Sequence, residues 1–291
     1  MSQIVTEFSE ISDHYDVAFV DLWGCIHNGI DPFADAVAAM KTYRDRGGVV
    51  VLVTNSPRPW DSVAKQITDM GVDAASWDAI ATSGDSARAA MFRGIVGEKV
   101  YFMGETPRDD DFFKPLKIID NPVDIQKVAL KDADGIVCCG PFDTQADVDV
   151  NRADFLYAKS KGLKLLCANP DIIVDRGETR EWCAGALAEL YTEMGGESLY
   201  FGKPHPPIYD LARRRYAALT GSLNDPRILA IGDGIRTDIL GAQQEDIDSL
   251  FITGGLAAHE TKTVSQPDAQ ALNTYIESEK VTPTHAIGFL R

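Results

Sequence analysis

The sequence predicts an α/β protein, a buried parallel sheet interleaved with helices, into which a second α/β segment is inserted. Three observations predict it. Runs such as Val17-Ala18-Phe19-Val20 and Val49-Val50-Val51-Leu52-Val53 are apolar throughout rather than alternating, as strands buried on both faces are. Helix-forming stretches separate them, the βαβ pattern of a parallel sheet. The runs also end abruptly in an acid, a hydroxyl or a glycine, and in open α/β sheets the carboxyl edge of the strands is where ligands sit.

Taken in order, the first strand delivers Asp21 to that edge, followed by Leu22-Trp23-Gly24-Cys25-Ile26-His27-Asn28-Gly29. Ala34 to Tyr43 is helical in composition and spacing and is stopped by Gly47-Gly48. The second strand runs to Val53 and sets Thr54-Asn55 at the same edge as Asp21. Pro59 opens a helix through Met70, closed by Gly71, and Ile80-Ala81-Thr82 leads into a helix from about Ser86. The character then shifts to a second alternating set. Lys99 to Gly104 reads as a strand, Asp109-Asp110-Asp111 as an acidic loop, Gly135 to Gly140 as a strand and Gln145 to Lys161 as a helix. A further strand ends in Asn169-Pro170-Asp171. Residues 86–182 therefore read as a domain inserted into a discontinuous core of 1–85 and 183–291. In that core follow the helix Cys183 to Met194, the run into Lys203-Pro204, the helix Pro207 to Ala218, the strand into Gly232-Asp233 and the strand Asp248 to Thr253. The polar stretch Glu260 to Asp268 reads as a surface loop.

With 291 residues, 45% hydrophobic and 25% charged, the chain is long enough for one large domain or two ordinary ones and has the composition of a globular protein. A net charge of −16 repels nucleic-acid backbones and anionic lipid surfaces, so neither is expected as a partner. Met1-Ser2-Gln3-Ile4-Val5 shows no basic-then-apolar leader and no apolar run approaches spanning length; a cytoplasmic location is expected. The five cysteines are odd in number, have no Cys-x-x-Cys spacing and sit mostly in apolar runs, which fits reduced core thiols. Cys25 has no partner base set by spacing and is not read as a nucleophile.

Four strand ends carry, in order, an acid (Asp21), a hydroxyl (Thr54), a lysine (Lys203) and a pair of acids (Asp233 and Asp238). Aspartyl-phosphate chemistry uses that set: a carboxylate attacks phosphorus, a hydroxyl and an ammonium hold phosphoryl oxygens, and further carboxylates hold Mg²⁺. On these residues the chain resembles the haloacid dehalogenase-like hydrolases, in particular class IIA, the NagD-like and nitrophenyl-phosphatase-like branch, over nearly its whole length. Asp21-Leu22-Trp23-Gly24, Val53-Thr54-Asn55, Gly202-Lys203-Pro204 and Gly232-Asp233-Gly234-Ile235-Arg236-Thr237-Asp238 are similar to the four family motifs, and Asn169-Pro170-Asp171 and Cys183-Ala184-Gly185-Ala186-Leu187 to class IIA markers. The resemblance implies a Rossmann-like core with an inserted C2-type α/β cap. It implies Asp21 as nucleophile and Mg²⁺ ligand, the backbone carbonyl of Trp23 and Asp233 as further ligands, and Asp238 supporting the metal nearby. It also implies phosphoryl binding by Thr54 and Asn55, charge neutralisation by Lys203, and Asn169 and Asp171 facing the leaving group. The partner implied is a small phosphorylated metabolite, and an exposed cap face is, by family analogy, a surface for a homodimer.

One position departs from the family pattern. Family phosphatases usually carry aspartate two residues after the nucleophile, as general acid and base, and this chain has Trp23. Indole exchanges no proton usefully near neutral pH, a loss of about 10² to 10⁴ in rate. Three readings stay open. In the first, the chain is a phosphatase with another proton carrier, His27 being the nearest candidate. In the second, it performs different chemistry on the same nucleophile, as in dehalogenases or phosphonate-cleaving relatives, although dehalogenases work without metal and the pair Asp233/Asp238 argues against them. In the third, it is a phosphate-binding pseudoenzyme.

Overall fold

The expected runs do become strands. In the computed structural model, which describes residues 2–107, 109–114, 116, 121–176, 179–221 and 225–291, fourteen are formed. In chain order they are β1 (Gln3–Ile4), β2 (Val17–Val20), β3 (Val49–Thr54), β4 (Ala79–Thr82), β5 (Lys99–Met103), β6 (Gln126–Lys127), β7 (Gly135–Cys138), β8 (Lys164–Cys167), β9 (Ile173–Arg176), β10 (Thr179–Trp182), β11 (Glu197–Tyr200), β12 (Ile228–Gly232), β13 (Asp248–Ile252) and β14 (His285–Ile287). The helices are α1 (Ala34–Asp45), α2 (Trp60–Asp69), α3 (Ser83–Met91), α4 (Arg152–Ser160), α5 (Ala184–Glu193), α6 (Pro206–Thr220), α7 (Leu240–Gln244) and α8 (Ala269–Glu279).

The chain forms two compact units. The first comprises Met1–Thr54, Ala64–Ala81 and Tyr209–Arg291; the second comprises Asn55–Val63 and Thr82–Ile208. The first holds a seven-stranded sheet in the order β1-β14-β13-β12-β2-β3-β4. β2 lies between β12 and β3 and pairs parallel with both. All four residues of β2 are buried, as are Val50 to Val53 of β3, which is why these segments are apolar without alternation. Ile235, Ile239, Phe251, Leu272 and Ala286 pack together in its core. The second unit holds a five-stranded parallel sheet, β11-β8-β7-β5-β6, and the antiparallel pair β9-β10. Phe155, Leu165, Leu187 and Tyr191 form one buried cluster there, Met91, Phe112, Val137 and Leu166 another.

Two helices differ from their expected extents. α3 begins at Ser83 rather than about Ser86, because Thr82 Oγ1 accepts the Asp85 N–H at 2.9 Å and caps it. The helix expected from Gln145 to Lys161 is α4 alone, preceded by a 3₁₀ turn at Val148–Asn151. Asp143 and Asp147 each accept the N–H two residues on, at 2.9 Å, and these side-chain turns compete with helix. The Glu260 to Asp268 stretch is more than surface: Thr261 is fully buried, its hydroxyl bonded to Ala257 O and paired with Thr263 Oγ1. All five cysteines are buried, and none is in a disulfide. Among the described residues no helix is long and apolar enough to cross a membrane.

Candidate active site

In the first unit, three neighbouring strand ends carry Asp21, Thr54 and Asp233, and all three residues are buried. Asp21 follows β2 directly, and its N–H donates to Ile231 O of β12 at 2.8 Å, which fixes the two strand ends against each other. A carboxylate oxygen of Asp21, one of Asp233 and Cys25 Sγ all lie within 4.8 Å of one another. Two carboxylates this close in a water-poor edge repel, and a cation between them removes the penalty.

The Asp233 carboxylate sits in a cradle of glycines. A Cβ on Gly24, whose φ is +77°, would stand 2.2 Å from Asp233 Oδ2, and one on Gly255 would stand 2.1 Å from it. Leu256 N–H donates to the same oxygen at 3.1 Å. The donor set and the room made for it fit a divalent cation that prefers oxygen, such as Mg²⁺. The Gly254-Gly255-Leu256 segment joins the site in addition to the expected residues; its signal in the sequence is a glycine pair close after the strand run Asp248 to Ile252. Asp238 stands apart from the ligand group. It lies on a single π-helical turn, Ile235–Ile239, and accepts the Gly234 N–H at 3.2 Å, folded so closely that a Cβ on Gly232 would meet its Cγ at 2.0 Å. It thereby shapes the loop that presents Asp233.

The turn after β2 is locked by its own side chains. Gly24 N–H donates to His27 O at 2.9 Å, and Ile26 and His27 N–H both donate to Leu22 O. The Trp23 indole packs edge-on against the His27 ring, centroids 5.4 Å apart, and covers Gly29, where a Cβ would lie 2.4 Å from the indole. His27 is buried, and its Nδ1 accepts the Gly29 N–H at 3.0 Å. Burial pushes its pKa down from 6.5 to about 4. At neutral pH the ring is therefore uncharged, with its acceptor nitrogen committed to the turn, an arrangement suited to holding Trp23 rather than to carrying protons.

This has a pH signature. The folded pKa is depressed, so the unfolded chain takes up a proton that the folded chain refuses between pH 6.5 and about 4. Stability from this group is full above the unfolded pKa and is lost as pH falls through the folded one, by up to about 3 kcal/mol. In urea unfolding at pH 7 and pH 4.5, His27→Gln should lose less stability on acidification than the parent. Equal losses would mean that the ring titrates normally.

In the second unit, four predicted residues distant in sequence form one hydrogen-bonded group. Asn55 Oδ1 accepts the Lys203 N–H at 2.7 Å, and Asn55 Nδ2 donates to Lys203 O at 3.1 Å and to Asp171 Oδ1 at 2.8 Å. Asp171 N–H in turn donates to Asn169 Oδ1 at 3.0 Å. Both hydrogens of the Asn55 amide are spent on the protein, so its side chain builds the site by holding Lys203 and Asp171. A Cβ on Gly202 would stand 2.4 Å from Asn55 Oδ1, which explains the glycine before Lys203. Lys203 itself is 3% exposed, an unusual position for an ammonium without a functional reason.

Known proteins match the chain as follows. A haloacid dehalogenase-like hydrolase family matches residues 18–114, and a HAD-hydrolase-like family matches residues 200–277. The crystal structure of a haloacid dehalogenase-like family hydrolase from Brucella suis superimposes with a TM-score of 0.84 at 34% identity, covering 99% of this chain and 100% of that one. The 4-nitrophenylphosphatase of Schizosaccharomyces pombe is 23% identical over 94% of each chain. The ribonucleotide monophosphatase NagD of Escherichia coli is 25% identical over 74% of this chain and 78% of its own.

Proposed function

The chain belongs to the haloacid dehalogenase-like hydrolases, class IIA, and on that footing we propose that it is a Mg²⁺-dependent hydrolase of small phosphomonoesters, of sugar-phosphate or nucleotide type. The single observation that carries this reading is the convergence of the Asp21 and Asp233 carboxylates at adjacent strand ends. The activities of the two phosphatase relatives support it.

An Asp21 carboxylate oxygen attacks phosphorus; the new aspartyl O–P bond forms as the bond to the leaving oxygen breaks. Water then attacks phosphorus, releasing phosphate and restoring the carboxylate. Asp21, Asp233 and the Trp23 carbonyl would hold Mg²⁺, which would supply the positive charge that lets a carboxylate and a phosphate approach. Asp233 holds its place through Gly24, Gly255 and the Leu256 N–H, and Asp238 holds the loop beneath it. Thr54 binds a phosphoryl oxygen and Lys203 neutralises phosphoryl charge, with Asn169 and Asp171 toward the leaving group. The inserted segment acts as the cap that sets substrate choice and excludes water, and it runs past residue 182, because α5 packs on its core and β11 pairs with β8. The protein works in the cytoplasm on a small phosphorylated metabolite, and the cap offers a homodimer surface.

Neither Trp23 nor His27 offers a proton to the leaving oxygen at neutral pH, so turnover depends steeply on how well the leaving group departs unaided. Aryl phosphates should outrun alkyl phosphates. The same observation favours one second reading, a phosphate-ligand binder with little turnover. The test is phosphate release from a panel of phosphomonoesters, with Mg²⁺ and with chelator, beside calorimetric Mg²⁺ titration. Metal-dependent release is expected. Mg²⁺ binding without release from any ester would leave the binder, and metal-free halide release from a haloacid would point to dehalogenation.

A further inference from the structure

Cys25 is the member of the ligand group that phosphoryl transfer does not call for. The turn that follows β2 bends back on Leu22 O and brings the thiol beside Asp21 and Asp233, where the residue is 1% exposed. Among the described residues this is the one group of histidine, cysteine or acidic side chains with ligand atoms gathered so closely. Its two carboxylate oxygens serve Mg²⁺, and its sulfur is a ligand that Mg²⁺ leaves unused. Magnesium takes hard oxygen ligands and gains nothing from sulfur, whereas thiolate ligation selects thiophilic ions such as zinc.

We infer that this centre also takes a thiophilic divalent ion of the zinc class, held by Cys25 Sγ together with the Asp21 and Asp233 carboxylates. Bonds of about 2.0–2.3 Å in a tetrahedral zinc site put ligand atoms roughly 3.3–3.8 Å apart. Atoms already within 4.8 Å of one another reach that spacing with small side-chain shifts. On binding, the S–H bond breaks, an Sγ–metal bond forms and the proton leaves to buffer, with no change of oxidation state. Because Asp21 is then engaged by an ion that leaves slowly, this ion and Mg²⁺ exclude one another. The ligand assignment rests on this geometry; only its inhibitory consequence rests on the proposed hydrolase reading.

Cobalt(II) is the probe. Titrated into the full chain, Co²⁺ should give an intense near-ultraviolet sulfur-to-cobalt charge-transfer band, which excess Mg²⁺ should reduce. Cys25→Ser should lose the band and bind Co²⁺ at least about tenfold more weakly by calorimetry. The parent protein carries the primary measurement, so a poorly folding variant does not remove the test. No Co²⁺ binding, binding without the band, or a band that persists in Cys25→Ser would each overturn the assignment. Failure of the hydrolase reading is separate, being absence of phosphate release with Mg²⁺ whatever the cobalt spectrum shows.

Discussion

Asp21→Asn should lower Mg²⁺-dependent phosphate release by on the order of 10⁴-fold or more, the scale of losing a nucleophile rather than a binding contact. The amide is nearly the same size, and the backbone bond from Asp21 N–H to Ile231 O does not involve the side chain, so the strand end should keep its place. Stability should hold or rise, because one of two buried carboxylates facing each other is neutralised. Thermal unfolding and initial-rate measurements on the same preparation separate the two effects. Retention of more than about a tenth of the rate would remove Asp21 from the nucleophile role.

The second large effect is expected at a position with no reactive group. Gly24→Ala should cost about 1–2 kcal/mol of stability, since its φ of +77° is left-handed, and should also weaken Mg²⁺ binding and cut turnover by about 10²-fold. The cause of the second part is steric. The new methyl would lie 2.2 Å from Asp233 Oδ2, and the carboxylate has to leave the position that faces Asp21. Gly47→Ala is the control, because its φ is +96° and no atom lies within 4 Å of the new methyl. It should show the strain without the loss of activity. If the two alanine variants lose activity equally, the cradle around Asp233 has no bearing on catalysis.

What the sequence disclosed and what it withheld divide along physical lines. Strands buried on both faces, such as β2 and β3, write themselves as uninterrupted apolar runs, so Asp21 and Thr54 could be set at a common edge. Features that depend on side chains meeting backbone groups far away left almost no trace. Asn55 looks like any polar residue after a strand, and nothing local says that its amide will be spent on Lys203 and Asp171. Gly255 is one glycine of a pair until Asp233 is placed against it. Cys25 read as a core thiol because its neighbours in space, unlike those in sequence, are carboxylates. The shortened α4 was lost to local chemistry, since Asp143 and Asp147 draw the backbone into turns that a count of helix-forming residues overlooks.

The position of β12 beside β2 has a consequence for how the protein is made. Val17 pairs with Ile228 and Val20 with Ile231, so the strand that delivers Asp21 acquires its inner neighbour only from the last quarter of the chain. During synthesis, β2 and β3 leave the ribosome on the order of tens of seconds before that neighbour exists. For that interval a wholly apolar strand has a bare edge, which chaperones or aggregation will contest. Fragments that stop short of Ile228 should be insoluble, and the early strands should gain protection from hydrogen exchange only after the C-terminal segment has emerged.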